Sequence, residues 1–241
     1  MRFLKTQLAL LLGCLLACTN ALDAKQLNDH LMNRPYADSR AWHLGFSVGM
    51  QFQELRFTQS GIIDYDGTQW FVQQPSTSPG FCVNALVDFR LSSMFNLRFN
   101  PGLYFGSKTV EMIESSTWEK QRQSIKSAYL VFPFDIKFSS FRYRNSRPYI
   151  SGGVMPSFDL SANRGDLLRL KPADLYLTVG LGCDFYLPYF KFIPEIKFCF
   201  GLFDIINHDR KDLEDDLVTM RYTNAIKKAT SAMVVLTFYF E

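Results

Sequence analysis

Residues Phe95 to Lys108 alternate for the length of a membrane crossing. Phe95, Leu97, Phe99, Pro101, Leu103 and Phe105 fall on one face. Asn96, Arg98, Asn100, Gly102, Tyr104 and Gly106 fall on the other. Successive side chains of a strand point to opposite sides, so this stretch has an apolar and a polar face. Two kinds of fold accommodate it. One is a half-buried strand of a soluble β protein. The other is the wall of a membrane barrel, with lipid against the apolar face and a lumen on the polar one.

The rest of the chain decides between them. Further alternating segments run over about Trp42–Phe52, Gly80–Leu91, Ala128–Phe138, Pro148–Phe158, Leu175–Phe185, Phe192–Leu202 and Ala232–Phe240, which makes eight strands. Gly152, Gly153 and Pro156 interrupt the fifth, leave its facing open and suggest a bulge or bend. The connections alternate in length. Long polar segments lie at Thr58–Ser78, Thr109–Ser127, Asp159–Ala173 and Asp204–Lys228. Short ones lie at Ser92–Met94, Ser139–Arg147 and around Pro188. A soluble sandwich has no reason to sort its loops in this way, whereas outer-membrane barrels pair long outer loops with short periplasmic turns. The expected fold is all-β: an eight-stranded antiparallel up-and-down transmembrane β-barrel of the outer-membrane type, with both termini in the periplasm.

The N-terminus fits an exported chain. Arg2 and Lys5 precede the apolar run Leu8–Leu16, and Thr19-Asn20-Ala21 offers small residues for cleavage after Ala21. Leu15-Leu16-Ala17-Cys18 also resembles a lipoprotein box, which keeps lipidation of Cys18 open. The expected organisation is a signal peptide at 1–21, an unstructured periplasmic lead-in at 22–41, with a short periplasmic helix as the alternative, and the barrel at 42–241. Cleavage leaves Cys82, Cys183 and Cys199, read as free packed thiols, with one disulfide pair as the alternative. A formal charge of +3 without a basic block gives no sign of a nucleic-acid partner.

The polar faces carry charge. Asp88, Asp135, Asp184 and Glu195 are expected inside, against Arg90, Arg98, Lys137 and Lys197. An eight-stranded barrel is just wide enough for side chains to fill, and isolated buried charges are costly. The two signs should therefore pair into a structural plug; a water or ion pathway is the alternative. Catalytic chemistry is not evident. His43 and Ser47 lie on one strand with Cα atoms some 13 Å apart at a rise of about 3.3 Å per residue, too far to pair. His30 belongs to the lead-in and His208 to the last loop. The acidic run Asp209–Asp216 lacks EF-hand spacing and reads as a solvated loop. Arg164, Arg169 and Lys171 could touch lipid headgroups or a partner, or form an ordinary wet loop. The residues thus point to no catalytic, cofactor or metal site and no small-molecule substrate.

Three stretches resemble a known family. They are LGFSVGMQFQELRF (Leu44–Phe57), PGFCVNALVDFRL (Pro79–Leu91) and NLRFNPGLYFGSKTV (Asn96–Val110). They are similar to PorT, a small outer-membrane β-barrel component of the type IX secretion and gliding machinery of Gram-negative bacteria. The resemblance extends from about Trp42 to Phe240 and brings no catalytic residues. It implies a non-enzymatic role in exporting cargo proteins that carry a C-terminal sorting domain, with outer-membrane lipid and other secretion subunits as partners. One departure is the C-terminus, where Glu241 follows the aromatic Phe240 on which such barrels usually end.

Overall fold

The computed structural model describes residues 32–59, 70–76, 78–114, 120–161, 171–206 and 226–241. The leader with Cys18, His30, His208, the Asp209–Asp216 run, and Arg164 and Arg169 lie outside them. The strands are β1 (Trp42–Gln59), β2 (Trp70–Ser76), β3 (Ser78–Arg90), β4 (Phe95–Phe99), β5 (Gly102–Glu114), β6 (Lys120–Val131), β7 (Phe134–Ser139), β8 (Ser146–Asp159), β9 (Ala173–Tyr186), β10 (Lys191–Gly201) and β11 (Ile226–Phe240).

These strands make eight crossings of one closed ring. β2 and β3 share a crossing, as do β4 and β5, and β6 and β7. Antiparallel ladders join β1 to β3 and to β11, β11 to β10, β10 to β9 and β9 to β8. The ring closes where β8 meets β7 and β6, and where β4 and β5 meet β3. The breaks inside the third and fourth crossings fall at Asn100–Pro101 and Phe132–Pro133. Proline has no N–H to give to a ladder, so pairing lapses there and resumes in the same register. The proline carbonyls keep donors: Ala85 N–H donates to Pro101 O at 2.9 Å, Asn100 N–H to Pro133 O at 3.2 Å and Phe132 N–H to Pro156 O at 3.0 Å.

The fifth crossing corrects one expectation. β8 pairs with β9 from Ser146↔Phe185 to Phe158↔Ala173 without a shift, so that ladder has no bulge. The lapse sits in the neighbouring crossing, at Phe132–Pro133. The facing of β8 is set as well: Tyr149, Ser151, Met155 and Ser157 are buried inside, and Ile150, Val154 and Phe158 are exposed outside. Gly153 faces in, where a Cβ would lie 1.9 Å from the Phe134 carbonyl oxygen, so the close approach of β7 requires glycine. A second correction concerns loop lengths. Ile113↔Lys120 still pairs, and β2 pairs with β5 through Trp70↔Glu114, so much of the expected loop at Thr109–Ser127 is strand. Backbone pairing continues there without the apolar face that marks a membrane segment.

The barrel is apolar outside and polar inside. Trp42, Leu44, Phe46, Val48, Met50 and Phe52 are all exposed in one row along β1. At about 3.3 Å per residue and a tilt of about 40°, that row spans roughly 25 Å, the height of a hydrocarbon-facing band. Cross-strand phenylalanines stack on the same surface: Phe99 on Phe134 at 4.7 Å, Phe81 on Phe105 at 4.9 Å and Phe192 on Phe238 at 5.8 Å between centroids. Water would penalise such a surface, and lipid matches it.

Residues Asn33–Arg40 are ordered, contrary to the expectation of an unstructured lead-in. Ala37–Ser39 forms a 3₁₀ turn with Ala37 buried. Asn33 Nδ2 donates to the Tyr186 carbonyl at 3.0 Å, and Arg34 Nη1 donates to the Glu241 carbonyl at 3.1 Å. The Glu241 carbonyl also accepts the Lys191 N–H at 2.8 Å, so Arg34 adds a second bond to an oxygen of the ladder and ties this segment to the strand ends.

Candidate functional site

The inner faces converge on one network. Arg98 projects from β4, fully buried. Its Nε and Nη2 donate to Asp88 Oδ2 at 3.2 and 3.1 Å. Its Nη1 donates to Glu195 Oε2 at 2.9 Å and to Tyr149 Oη at 3.1 Å. The Tyr149 hydroxyl in turn donates to Glu195 Oε2. Arg98 also lies over the Tyr149 and Tyr239 rings, at 5.1 and 4.9 Å from the centroids. The third crossing, with Arg98, and the seventh, with Glu195, are opposite each other in an eight-membered ring. The guanidinium therefore bars the lumen.

Neighbouring charges extend this layer. Lys197 Nζ pairs with Asp135 Oδ2 at 2.5 Å and with Glu195 Oε1 at 3.2 Å. Thr178 Oγ1 donates to Asp135 Oδ1 at 2.6 Å. Lys137 Nζ donates to both Asp184 oxygens at 2.7 Å and sits 4.1 Å from the Tyr149 ring centroid. Lys191 Nζ links Asp184 Oδ2 to Glu241 Oε2, each at 3.3 Å, and His43 Nδ1 meets Glu241 Oε1 at 2.8 Å. Asn96 Nδ2 occupies the remaining oxygen of Asp88 at 2.6 Å. Each buried ion thus has a counter-ion together with hydrogen bonds, the condition under which burial of charge is tolerated.

Seven of the eight residues expected inside belong to this network: Asp88, Arg98, Asp135, Lys137, Asp184, Glu195 and Lys197. Arg90 does not. It is exposed at the end of β3, where its Nε donates to the Ser92 carbonyl at 3.4 Å. The alternation placed it correctly by parity, but the strand ends there and the side chain reaches water. Lys191 and Glu241 replace it, so four cations meet five carboxylates with His43 beside the fifth. Parity carried the missed signal, because Lys191 is in phase with Glu195 and Lys197, and Glu241 with Tyr239. The terminal glutamate is therefore an inward residue continuing β11, and its N–H donates to the Lys191 carbonyl at 3.1 Å.

Glycines shape the space. Gly182 lies opposite Tyr149 in the ladder, and a Cβ there would sit 2.4 Å from the tyrosine ring and hydroxyl. Gly182→Ala is expected to push Tyr149 off Arg98 and Glu195 and to lower stability by about 1–3 kcal/mol, the range for overpacking. The urea midpoint of the micelle-refolded protein measures it. In a Tyr149→Ala background the same substitution should cost little, because the clashing ring is gone.

Toward the long-loop end the lining turns from ionic to tyrosyl and apolar. Tyr104, Tyr129, Val131, Met155, Tyr176 and Met233 cluster with Cys82 and Cys199. Cys82 and Cys199 are free, buried thiols, and Cys183 Sγ donates to the Asp184 carbonyl at 4.0 Å. Gln53 Nε2 donates to Ser231 Oγ at 2.9 Å, and the Tyr176 hydroxyl donates to the same oxygen at 2.9 Å. A cavity of about 10 Å³ beside Gln53, Ser157 and Asp174 has room for a single water. His43 and Ser47 take different partners, since Ser47 Oγ accepts from Asn84 Nδ2 at 3.0 Å. The arrangement locks and seals; among the described residues it presents no nucleophile with a base beside it.

Residues 26–207 match the family model described as outer membrane protein beta-barrel domain. No curated protein matches the chain. Among solved structures, Neisserial surface protein A is similar at 8% identity and a TM-score of 0.42, covering 83% of this chain and 98% of its own. OprG from Pseudomonas aeruginosa is similar at 15% identity and a TM-score of 0.39, covering 81% and 92%. Ail, the attachment invasion locus protein of Yersinia pestis, is similar at 9% identity and a TM-score of 0.35, covering 83% and 99%.

Proposed function

This chain belongs to the outer membrane protein β-barrel domain family, and we propose that it is a non-enzymatic subunit of the type IX secretion machinery. In this reading it sits in the bacterial outer membrane with both termini periplasmic. It serves the export of cargo proteins that carry a C-terminal sorting domain. The similarity of Leu44–Phe57, Pro79–Leu91 and Asn96–Val110 to PorT supports the assignment.

One observation carries the role of scaffold over that of conduit. Arg98 reaches across the lumen to Glu195 inside a filled layer of side chains. Eight crossings leave no passage for a polypeptide. The work then falls to the two ends of the barrel, where other subunits of the machinery would touch it.

The alternative is a stand-alone barrel: an adhesin, a tether or a small-solute pore. The ladder of β2, β5 and β6 favours it. β6 pairs with β5 from Lys120 onward but with β8 only from Tyr129, so a raised sheet runs past the ring. Deleting the gene separates the two. The secretion reading expects cargo trapped in the periplasm and released again by a plasmid copy of the gene. Cargo reaching the medium at wild-type levels overturns that reading and leaves the stand-alone barrel.

A further inference from the structure

The chain ahead of β1 crosses the short-turn mouth of the barrel. β1 is the first crossing of the ring, and β8 and β9 are the fifth and sixth, on the far side. Residues Asn33–Arg40 lead into β1 yet bond on that far side. The Asn33 N–H donates to Asn145 Oδ1 at 2.9 Å, its Nδ2 donates to the Tyr186 carbonyl at 3.0 Å, and the Tyr186 hydroxyl donates to Asp38. Tyr186 ends β9 in phase with the inward Asp184 and is 1% exposed. A side chain aimed into the lumen thus meets Asp38, which puts the segment across the mouth rather than outside the wall. Ala37 is buried and Tyr36 beside it is 79% exposed, so the segment has an inner and an outer surface.

One carboxylate fastens it. Asp38 faces Arg147 at 3.5 Å and Arg142 at 3.7 Å. The Arg142 guanidinium lies 3.6 Å from the Tyr186 ring centroid, and it also donates to the Asn33 and Arg34 carbonyls. Both arginines are tied to their own turn, Arg142 Nε through the Arg144 carbonyl and Arg147 Nε through the Ser140 carbonyl, each at 2.8 Å. The socket is therefore part of the barrel, while Asp38 belongs to the segment. Arg34 has φ 49°, in the left-handed region that is costly for residues other than glycine, and its Nη1 is held by the Glu241 carbonyl. Such a backbone persists only while its surroundings hold it, so the segment relaxes away when these contacts break. Behind it lies the end of the ionic network. Lys191 Nζ is 5.5 Å from the Tyr186 ring centroid and meets Asp184 and Glu241. Ser139, the last residue of β7 and in phase with Asp135 and Lys137, is 1% exposed.

We propose that Asn33–Arg40 is a strap that opens and closes the short-turn mouth, with Asp38 in the Arg142–Arg147 socket as its clasp. Closed, it shields Tyr186, Lys191 and Ser139; released, it bares them to the solution at that end. This inference rests on the geometry of the barrel and is independent of any role in secretion.

Thiol accessibility tests it. Ser139→Cys is made in the full chain carrying Cys82→Ala, Cys183→Ala and Cys199→Ala, refolded in micelles, and its reaction with a charged methanethiosulfonate is timed. The same chain without Ser139→Cys sets the background. With the strap closed, the thiol should react slowly. Asp38→Ala should speed the reaction about tenfold, the ratio that corresponds to about 1.4 kcal/mol of fastening. Arg147→Gln should act in the same direction, and Asp38→Glu should restore most of the protection. Arg56→Gln, at an exposed site near the other end, should change nothing. Heat-modifiable mobility on a gel reports whether each variant is folded, and Arg147→Gln carries the test if Asp38→Ala fails to assemble. Deuterium uptake over Asn33–Arg40 reads the same opening without any introduced cysteine and should rise with it. Reaction of the thiol at the rate of the urea-unfolded chain, with Asp38 in place, overturns the proposal, because the mouth is then open. So does an unchanged slow rate in both folded variants, because the strap is then a fixed seal.

Discussion

Arg98→Met will lower the unfolding free energy of the refolded barrel by about 3–5 kcal/mol, the usual cost of breaking a buried ion pair by removing one partner. Arg98 is fully buried and serves Asp88 and Glu195 together. Without it, Asp88 keeps Asn96 and Glu195 keeps Tyr149 and Lys197, but the layer gains one further uncompensated negative charge. The urea midpoint in detergent micelles, or the temperature at which the folded gel band disappears, reads the loss. Adding Glu195→Gln should recover part of it, since that removes the excess charge rather than restoring a contact. A loss below about 1 kcal/mol, typical of an exposed pair, would show that water reaches this layer and that the lumen is not sealed.

Val48→Arg will cost about 2–4 kcal/mol, the penalty for arginine at the lipid midplane of a barrel. Val48 lies midway along the exposed row from Trp42 to Phe52, between Val83 and Phe238 on the neighbouring crossings. On a soluble protein an exposed valine replaced by arginine changes stability by only a few tenths of a kcal/mol. The same assay in bilayers, compared with Arg56→Gln as a surface control, distinguishes a lipid-facing wall from a water-facing one. Taken together, the two substitutions invert the rule for soluble proteins: here the arginine belongs inside and the valine outside.

Much of this was legible from the chain. The backbone of any strand imposes a period of two, so Leu97 goes to lipid and Arg98 to the lumen by parity alone. The strand ends were less legible. Asn100–Pro101 and Phe132–Pro133 sit inside alternating segments, and their effect is a lapse in a ladder without a change of face. β2 and the outer halves of β5 and β6 lack a sustained apolar face, so nothing in their pattern distinguishes them from loop. Arg90 and Lys191 show the same limit at the other end, where one or two residues decide whether a side chain ends in water or in the network. The 3₁₀ turn at Ala37–Ser39 has no periodic signal at all, because its order comes from carbonyls on β9 and beside β11, far away in sequence.

Local periodicity was enough to set the number of crossings, the facing of all but the fifth and the presence of both signs of charge inside. It does not say which charges meet. Register makes Arg98 a neighbour of both Asp88 and Asp135, yet its side chain takes Asp88 and, across the lumen, Glu195, while Asp135 goes to Lys197. Those choices depend on the closure of the ring, on the heights of distant strands relative to one another, and on the room that Gly182 leaves for Tyr149. They are made in three dimensions, because partners 97 residues apart in the chain, as Arg98 and Glu195 are, share no local pattern.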